Sequence, residues 1–224
     1  MSNHNEQLWR RTKPIFQSDF LMREHFPEWL GDVKDKSVLD GCCGEGYVAR
    51  KLASLGAKVY GFDNNSEMIR LAKSMEENQP LGIDYTIADL MEVDSDYRSE
   101  SFDIAVLSGI PPFLDEKQLY DMHRKIAKVL KSGGILLVTT LHTDAYFQNA
   151  KSGWMTFTSK PDPTKPTQYG SLDFCAPNGE LAYSGSNYFH TSQQMRKAIN
   201  EAGLKVIAEY APLASEEDIK HYPE

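Results

Sequence analysis

The stretch Ser37-Val-Leu-Asp-Gly-Cys-Cys-Gly-Glu-Gly46 decides how the rest of the chain is interpreted. A short apolar run ends in Asp40, and glycines follow at positions 41, 44 and 46 before a helical pattern begins at Tyr47. Because glycine has no Cβ atom, its backbone turns tightly and approaches a ligand closely. The order of strand, glycine-rich turn and helix therefore predicts a nucleotide-cradling unit.

Two classes of ligand use this geometry. The segment Gly44 to Ala49 fits the G-x-G-x-x-A form of the dinucleotide fingerprint, so an NAD(P)-dependent oxidoreductase remains an alternative. A pyrophosphate binds at a helix N-terminus and avoids carboxylates, yet Asp40 and Glu45 flank this turn. The acidic residues favour a cationic ligand, such as one that carries an ammonium and a sulfonium group.

Further landmarks follow at the ends of the next predicted strands. The strand Lys58 to Phe62 ends in Asp63, which lies 23 residues after Asp40 and can accept hydrogen bonds from both hydroxyls of a ribose. The strand Ile83 to Ile87 leads into Ala88-Asp89-Leu90. A fourth strand covers 102–107, and a near-continuous apolar run over 135–141 predicts a central fifth strand covered on both faces.

These motifs resemble those of class I S-adenosylmethionine-dependent methyltransferases, in particular small-molecule methyltransferase domains like those of ubiquinone and menaquinone biosynthesis. Asp-Gly-Cys-Cys-Gly-Glu-Gly resembles the first motif of the family, with Cys42 where a glycine is expected. Leu130-Lys-Ser-Gly-Gly-Ile-Leu resembles a later one, with Ser132 in place of proline. The resemblance implies a Rossmann-like α/β fold with a mostly parallel sheet and helices on both faces.

The same resemblance implies the reaction and the cofactor. A methyl group would move from S-adenosyl-L-methionine to an oxygen, nitrogen or carbon atom of a small molecule by in-line displacement, leaving S-adenosyl-L-homocysteine. The residues implied to bind the cofactor are Asp40, Gly41, Cys42, Gly44, Gly46, Asp63, Asn64, Met68, Ala88, Asp89, Leu90 and Ser108. A non-catalytic partner protein that keeps the methyltransferase fold is a further alternative.

The segment after the fourth strand, Ile110-Pro-Pro-Phe113, resembles part of the Asp/Asn-Pro-Pro-Tyr/Phe motif of methyltransferases that act on adenine or glutamine. In that motif the first side chain accepts a hydrogen bond from the target amino group. Ile110 has no oxygen in its side chain, so only the rigid turn and the aromatic residue are shared.

The chain is predicted to form a single domain. Residues 1–36 would supply lid helices, 37–141 the cofactor-binding core, 142–190 an insertion after the fifth strand, and 191–224 a helix and a sixth strand, Lys205 to Tyr210. No seventh strand is placed. The insertion has nine aromatic residues, which predicts an ordered substrate lid. The candidate substrate residues are Tyr146, Trp154, Tyr183 and Tyr188, and the candidate general bases are His142 and His190.

Composition narrows the class of partner. The chain has 224 residues, 41% of them apolar, and a net charge of −8, so a nucleic-acid partner is not expected. Three cysteines form no disulfide framework, and no Cys or His residues stand at metal-ligand spacing. With no apolar run of membrane-spanning length and no signal segment, we expect a cytoplasmic monomer or homodimer.

Overall fold

The computed structural model describes residues 17–140, 155–157, 162, 164–175 and 181–211. The contacts divide the chain into two compact units. The first contains Pro27–Ile110 and Asp121–Thr139, and the second contains Lys13–Phe26, Pro111–Tyr120 and Thr140–Glu224. The interpretation of residues 1–224 as one domain with the four predicted segments stays a prediction.

The first unit is built on a parallel sheet of five strands in the order β3-β2-β1-β4-β5. This arrangement confirms the predicted Rossmann-like α/β class. Its strands are β1 (Ser37–Gly41), β2 (Lys58–Asp63), β3 (Asp84–Ile87), β4 (Phe102–Ser108) and β5 (Leu130–Thr139).

Helices connect these strands, as a parallel sheet requires. They are α3 (Tyr47–Ser54), α4 (Ser66–Asn78), α5 (Val93–Asp96) and α6 (Glu116–Val129), and short 3₁₀ turns cover Leu90–Glu92 and Pro111–Phe113. Helix α6 begins with a capping box, in which Gln118 N–H donates to Asp115 Oδ1 at 2.8 Å and Asp115 N–H donates to Gln118 Oε1 at 3.0 Å.

The core of the first unit comes from the inner faces of the strands and the apolar stripes of the helices. Val38, Leu39, Phe62 and Leu107 are at most 2% exposed on their strands. In β1 even the charged residue Asp40, next to the last residue of the strand, is buried, because β2 and β4 pair with β1 on both sides. Burial of this kind is what fixes the ends of β1, β2 and β4 relative to one another.

The prediction for the fifth strand was wrong in one respect. Among the described strands β5 is the last in the sheet, and its apolar residues 135–138 are only half-buried. A continuous apolar run favours burial on both faces of a strand, but it does not say whether neighbouring strands lie along both of its edges.

The second unit contains an antiparallel sheet of three strands, β6 (Met155–Phe157), β7 (Thr167–Cys175) and β8 (Leu181–His190). Its helical segments among the described residues are α1 (Gln17–Leu21), a 3₁₀ turn at Arg23–His25, the 3₁₀ turn Pro111–Phe113, the first turn of α6 and α7 (Ser192–Glu201). Helix α2 (Phe26–Leu30) begins in this unit with Phe26 and continues in the first. The predicted insertion is therefore ordered as a hairpin sheet where it is described.

The predicted sixth strand, Lys205 to Tyr210, is wrong. Residues 204–211 belong to no helix or strand, and Ile207 is 77% exposed. Apolar alternation favours a strand only where a neighbouring strand accepts its hydrogen bonds, and no described strand pairs with this segment.

Candidate cofactor site

The glycine-rich turn is tied to the end of β2 by two backbone donors. Cys43 N–H donates to the carbonyl of Phe62 at 2.9 Å, and Gly44 N–H donates to Asp63 Oδ2 at 2.9 Å. The second bond is charge-assisted, because the acceptor is a carboxylate. Asp63 therefore has two possible tasks: it fixes the turn, and it retains lone pairs for a ligand.

The three glycines of the turn are required for different reasons. A Cβ atom at Gly41 would lie 2.6 Å from Leu107 Cδ2, and one at Gly46 would lie 2.2 Å from Tyr85 Oη. At Gly44, with φ of +56°, no atom of the described residues comes within 4 Å of a built Cβ. Gly41 and Gly46 thus allow close packing inside the protein, whereas Gly44 borders open space where a ligand could approach the backbone.

Tyr85 in β3 packs against the glycine-rich turn, and none of the sequence motifs includes it. It is 3% exposed, and its hydroxyl is 3.5 Å from the carbonyl of Gly46. A Cβ at Gly61 would also lie 2.7 Å from its ring. Alternation along β3 indicated an inward side chain at position 85, but only the tertiary structure shows that two glycines make room for it.

The carboxylates predicted at three strand ends are brought together around Cys42. Burial raises the pKa of the Cys42 thiol far above its usual value, and the charges of Asp63, Asp40 and Asp89 raise it further. A thiolate would be repelled by all three, so Cys42 carries its proton. The same negative field would attract a cationic ligand and repel a phosphate.

Each of these carboxylates is held differently. Asp40, at the end of β1, is 1% exposed. Asp63 Oδ1 accepts from Asn65 N–H at 2.8 Å, and Asp89 Oδ1 accepts from Met91 N–H at 2.8 Å. These local bonds fix the directions of the two more accessible carboxylates, which leaves them oriented before any ligand arrives.

The remaining predicted cofactor residues lie at the same edge of the sheet. The N–H of Ala88 donates to the carbonyl of Asp63 at 3.2 Å, which joins the end of β3 to the end of β2. Leu90 and Met68 are buried, Asn64 is exposed, and Ser108 is the half-buried last residue of β4. Binding of a cofactor by these residues stays a prediction.

His190, one of the two candidate general bases, lies at the end of β8 in the second unit. Its Nε2 is 3.1 Å from the carbonyl of Pro111 and 2.9 Å from that of Leu114, and its Nδ1 is 3.1 Å from Thr167 Oγ1. Because carbonyls only accept, Nε2 carries the proton and Nδ1 accepts from the hydroxyl. Burial lowers the pKa of His190, so the ring is neutral and both nitrogens are engaged. This geometry favours a positioning role.

The other predicted substrate and base residues are only partly described. His142, Tyr146 and Trp154 lie outside the described residues, and Tyr183 is described in its backbone alone. Tyr188 is half-buried, with its ring centroid 5.0 Å from that of Tyr169 and 6.4 Å from that of His190.

Two negative findings concern only the described part of the chain. No group of three or more His, Cys, Asp and Glu side chains is placed to hold a metal ion there. Within the same residues, no helix has the length and apolar character needed to cross a membrane.

The sequence of the first unit matches a known family. Residues 38–134 match the model of a methyltransferase domain. The ubiquinone biosynthesis O-methyltransferase of Coxiella burnetii is 33% identical over 110 residues, which are 49% of this chain and 45% of that protein. The chain thus covers less than half the length of this relative.

Solved structures share the fold at low sequence identity. A protein from Listeria monocytogenes, described as a putative S-adenosylmethionine-dependent methyltransferase, aligns with a TM-score of 0.67 and 20% identity. The alignment covers 89% of this chain and 87% of that one. An S-adenosylmethionine-dependent methyltransferase from Clostridium acetobutylicum aligns with a TM-score of 0.61 and 15% identity, covering 92% and 87%. At these identities the likeness establishes the fold.

Proposed function

We propose that the protein transfers the methyl group of S-adenosyl-L-methionine to a small-molecule acceptor, because residues 38–134 match the model of a methyltransferase domain and the ubiquinone biosynthesis O-methyltransferase of Coxiella burnetii is 33% identical over 110 residues. The observation that carries this proposal is that Asp40, Asp63 and Asp89 lie at or just beyond the carboxyl ends of the neighbouring parallel strands β1, β2 and β3, beside the glycine-rich turn. Three carboxylates beside an open stretch of backbone suit a ligand with two cationic groups.

The residues present fit this cofactor in three places. Asp63 would accept hydrogen bonds from the ribose hydroxyls. Its Oδ2 and Oδ1 are already oriented by the N–H groups of Gly44 and Asn65, and each oxygen keeps a further lone pair. Asp89 and Leu90 follow β3, where a polar acceptor and a buried apolar side chain suit a purine with an amino group. Gly44 borders open space that the cofactor would fill, close to the protein backbone.

The chemistry itself is supplied by the cofactor, whose sulfonium makes the thioether a good leaving group. The chain then has to orient both reactants and exclude water, which is the main source of rate in such a transfer. His142 remains our candidate for a general base, if the acceptor must lose a proton. For His190 we propose instead that it holds the Pro111–Leu114 turn in place.

The dinucleotide alternative is disfavoured by charge. Asp40 and Glu45 are 1% and 3% exposed beside the turn, and buried carboxylates there would repel a pyrophosphate. Isothermal titration of the full chain with S-adenosylhomocysteine and with NAD separates the two. We expect saturable binding of the first and none of the second; the reverse result would replace our proposal with the oxidoreductase.

The acceptor is to be found by incubating the protein with methyl-labelled S-adenosylmethionine and an extract of small metabolites. Transfer of label to a low-molecular-weight product is the expected result. Label recovered only in added protein or nucleic acid would overturn the small-molecule acceptor. Binding of S-adenosylhomocysteine with no transfer to any acceptor would favour the non-catalytic partner.

A further inference from the structure

The β7–β8 hairpin of the second unit carries two buried side-chain amides, and neither has a role in the site described above. Gln168 and Asn187 are 8% and 1% exposed. Gln168 pairs with Phe189 across the hairpin and Asn187 pairs with Gly170, so both side chains belong to the same face of the sheet. They are diagonal neighbours, for which a separation of about 7–8 Å is usual.

The orientation of both side-chain amides is fixed by hydrogen bonds to the backbone, because a backbone carbonyl can only accept and a backbone N–H can only donate. Asn187 Nδ2 donates to the carbonyl of Pro112 at 3.2 Å, and a carbonyl can only accept. Gln168 Oε1 accepts from the N–H of Asp162, which can only donate. Rotating either amide by 180° would place like groups against each other, so the opposite end of each side chain is determined as well.

The other polar atom of each amide, Gln168 Nε2 and Asn187 Oδ1, is available for a hydrogen bond. Among the described residues, neither Gln168 Nε2 nor Asn187 Oδ1 has a hydrogen-bond partner, and both atoms are shielded from water. One is a donor and the other is an acceptor. Buried polar atoms without partners are rare and costly, so a group that serves both would be strongly preferred at this place.

The residues beside the two amides on this face are small or apolar. Gly170 and Gly185 are on the same face of the hairpin and have no side chains, while Phe189 offers apolar surface and is 3% exposed. A ligand that fits would carry a hydrogen-bond donor and an acceptor on neighbouring atoms, attached to an apolar body.

We propose that Gln168 and Asn187 form an amide subsite that recognises a carboxamide, or a hydroxyl beside a carbonyl, on an otherwise apolar small molecule. The assignment of that molecule as the methyl acceptor rests on the proposed function. Asn187 would then donate to the Pro112 carbonyl through Nδ2 and bind the ligand through Oδ1. A ligand that lacks the donor or the acceptor would leave one of the two amides unpaired, which gives the subsite its specificity.

Three probes of nearly the same shape test the subsite: benzamide, acetophenone and cumene. Benzamide donates and accepts, acetophenone only accepts, and cumene does neither. Each is titrated into the ¹³C,¹⁵N-labelled full chain, and the side-chain amide signals of Gln168 and Asn187 are followed after their assignment by triple-resonance spectra of the unmodified chain. We expect saturable shifts of both signals with benzamide, binding at least tenfold weaker with acetophenone, and none with cumene.

Matched variants complete the experiment. Gln168→Leu and Asn187→Leu should each weaken benzamide binding at least tenfold, and Ser186→Ala, on the opposite face of the hairpin, should leave it unchanged. The subsite is refuted if benzamide shifts neither signal, if all three probes shift them alike, or if only an ordered water satisfies the two amides. The probe series on the unmodified chain decides this even if a variant fails to fold.

Titration with S-adenosylhomocysteine is measured on the same sample. Cofactor binding without a response to benzamide removes the amide subsite and leaves the proposed function standing. A response to benzamide without cofactor binding has the opposite meaning: the subsite stands, and methyl transfer is overturned.

Discussion

At the scale of single residues, Asp63 has a structural task beside the ligand-binding task that we propose for it. Its Oδ2 accepts from Gly44 N–H, so the carboxylate that would hold a ribose also shapes the glycine-rich turn. Motif spacing indicated the first task. The second depends on a bond between residues 19 positions apart, which only the folded chain brings together.

We expect Asp63→Ala to weaken binding of S-adenosylhomocysteine by about 2–3 kcal/mol, because it removes charge-assisted bonds to two hydroxyls and loosens the turn. Calorimetry on the folded variant measures this. Asp84→Ala, at the opposite end of β3, is the matched control and should bind like the parent. Unchanged affinity in Asp63→Ala would remove this residue from the site.

Cys42 stands where the resembled family has glycine, and its backbone keeps the glycine conformation, with φ of +54°. A residue with a Cβ atom pays about 1 kcal/mol or more in this left-handed region. We therefore expect Cys42→Gly to raise the free energy of unfolding by up to about 1 kcal/mol. Denaturant titration measures the change.

The neighbouring cysteine provides the control. Cys43 has no positive φ, and its sulfur lies against Gly61, where a built Cβ would be 3.2 Å away. Cys43→Gly should therefore lower stability, by about 0.5–1 kcal/mol from added backbone freedom and by a further amount from the lost packing of the sulfur. Equal effects of the two substitutions would show that strain at position 42 is not the cause.

At the scale of elements, the glycine-rich turn and β3 depend on each other through Tyr85. We expect Gly46→Ala to lower the free energy of unfolding by about 2–4 kcal/mol, since its Cβ would clash with Tyr85 and φ is +84°. Gly44→Ala should cost only about 1 kcal/mol in stability, because the space beside it is open.

For cofactor affinity the order is reversed: Gly44→Ala should lose more affinity than folded Gly46→Ala. Folded Gly44→Ala is expected to lose most binding of S-adenosylhomocysteine, and the larger Gly44→Val to abolish it, because a Cβ there blocks backbone approach. Thermal unfolding and calorimetry on the same samples measure both effects. If Gly44→Ala binds normally, the turn does not contact the ligand.

Helix α5 is fastened to α6 by one carboxylate between two lysines. Asp94 lies 2.5 Å from Lys125 Nζ and 2.8 Å from Lys128 Nζ, and these bonds lower the pKa of Asp94 from 3.8 to about 2. Because the pKa is lower in the folded chain, the stabilisation is present above the unfolded value and disappears as the pH falls from about 4 to about 2.

We expect Asp94→Asn to lower the free energy of unfolding at pH 7 by about 1 kcal/mol, a modest value because Lys128 is largely exposed. The difference between parent and variant should shrink as the pH falls below 4, as measured by melting temperature at several pH values. Arg70→Gln, which breaks an exposed pair with Glu67, is a control that should change little. A difference independent of pH would contradict the ion-pair explanation.

At the scale of the whole molecule, the cofactor residues are all in the first unit, and the candidate substrate residues are all in the second. We expect Tyr188→Ala to leave affinity for S-adenosylhomocysteine within about threefold of the parent while reducing turnover of the acceptor about tenfold, or about 1.4 kcal/mol. Leu181→Ala, at the exposed start of β8, is the control. Equal losses of thermal stability and cofactor binding, with unchanged turnover per folded molecule, would make Tyr188 structural.

The sequence alone determined the parallel core and its candidate site because their signals are local. Apolar runs that end in glycine or aspartate predict strands, and parallel strands place their carboxyl ends at one edge of the sheet. The positions of Asp40 and Asp63 followed from this pattern, and the resemblance to the methyltransferase family added Asp89. The tertiary structure decided what depends on distant partners. Lys205 to Tyr210 forms no described strand, because none of the described strands pairs with it. Both ring nitrogens of His190 are engaged, because the remote carbonyls of Pro111 and Leu114 contact Nε2 and the Thr167 hydroxyl contacts Nδ1. The amides of Gln168 and Asn187 are oriented by backbone groups that no spacing in the sequence reveals.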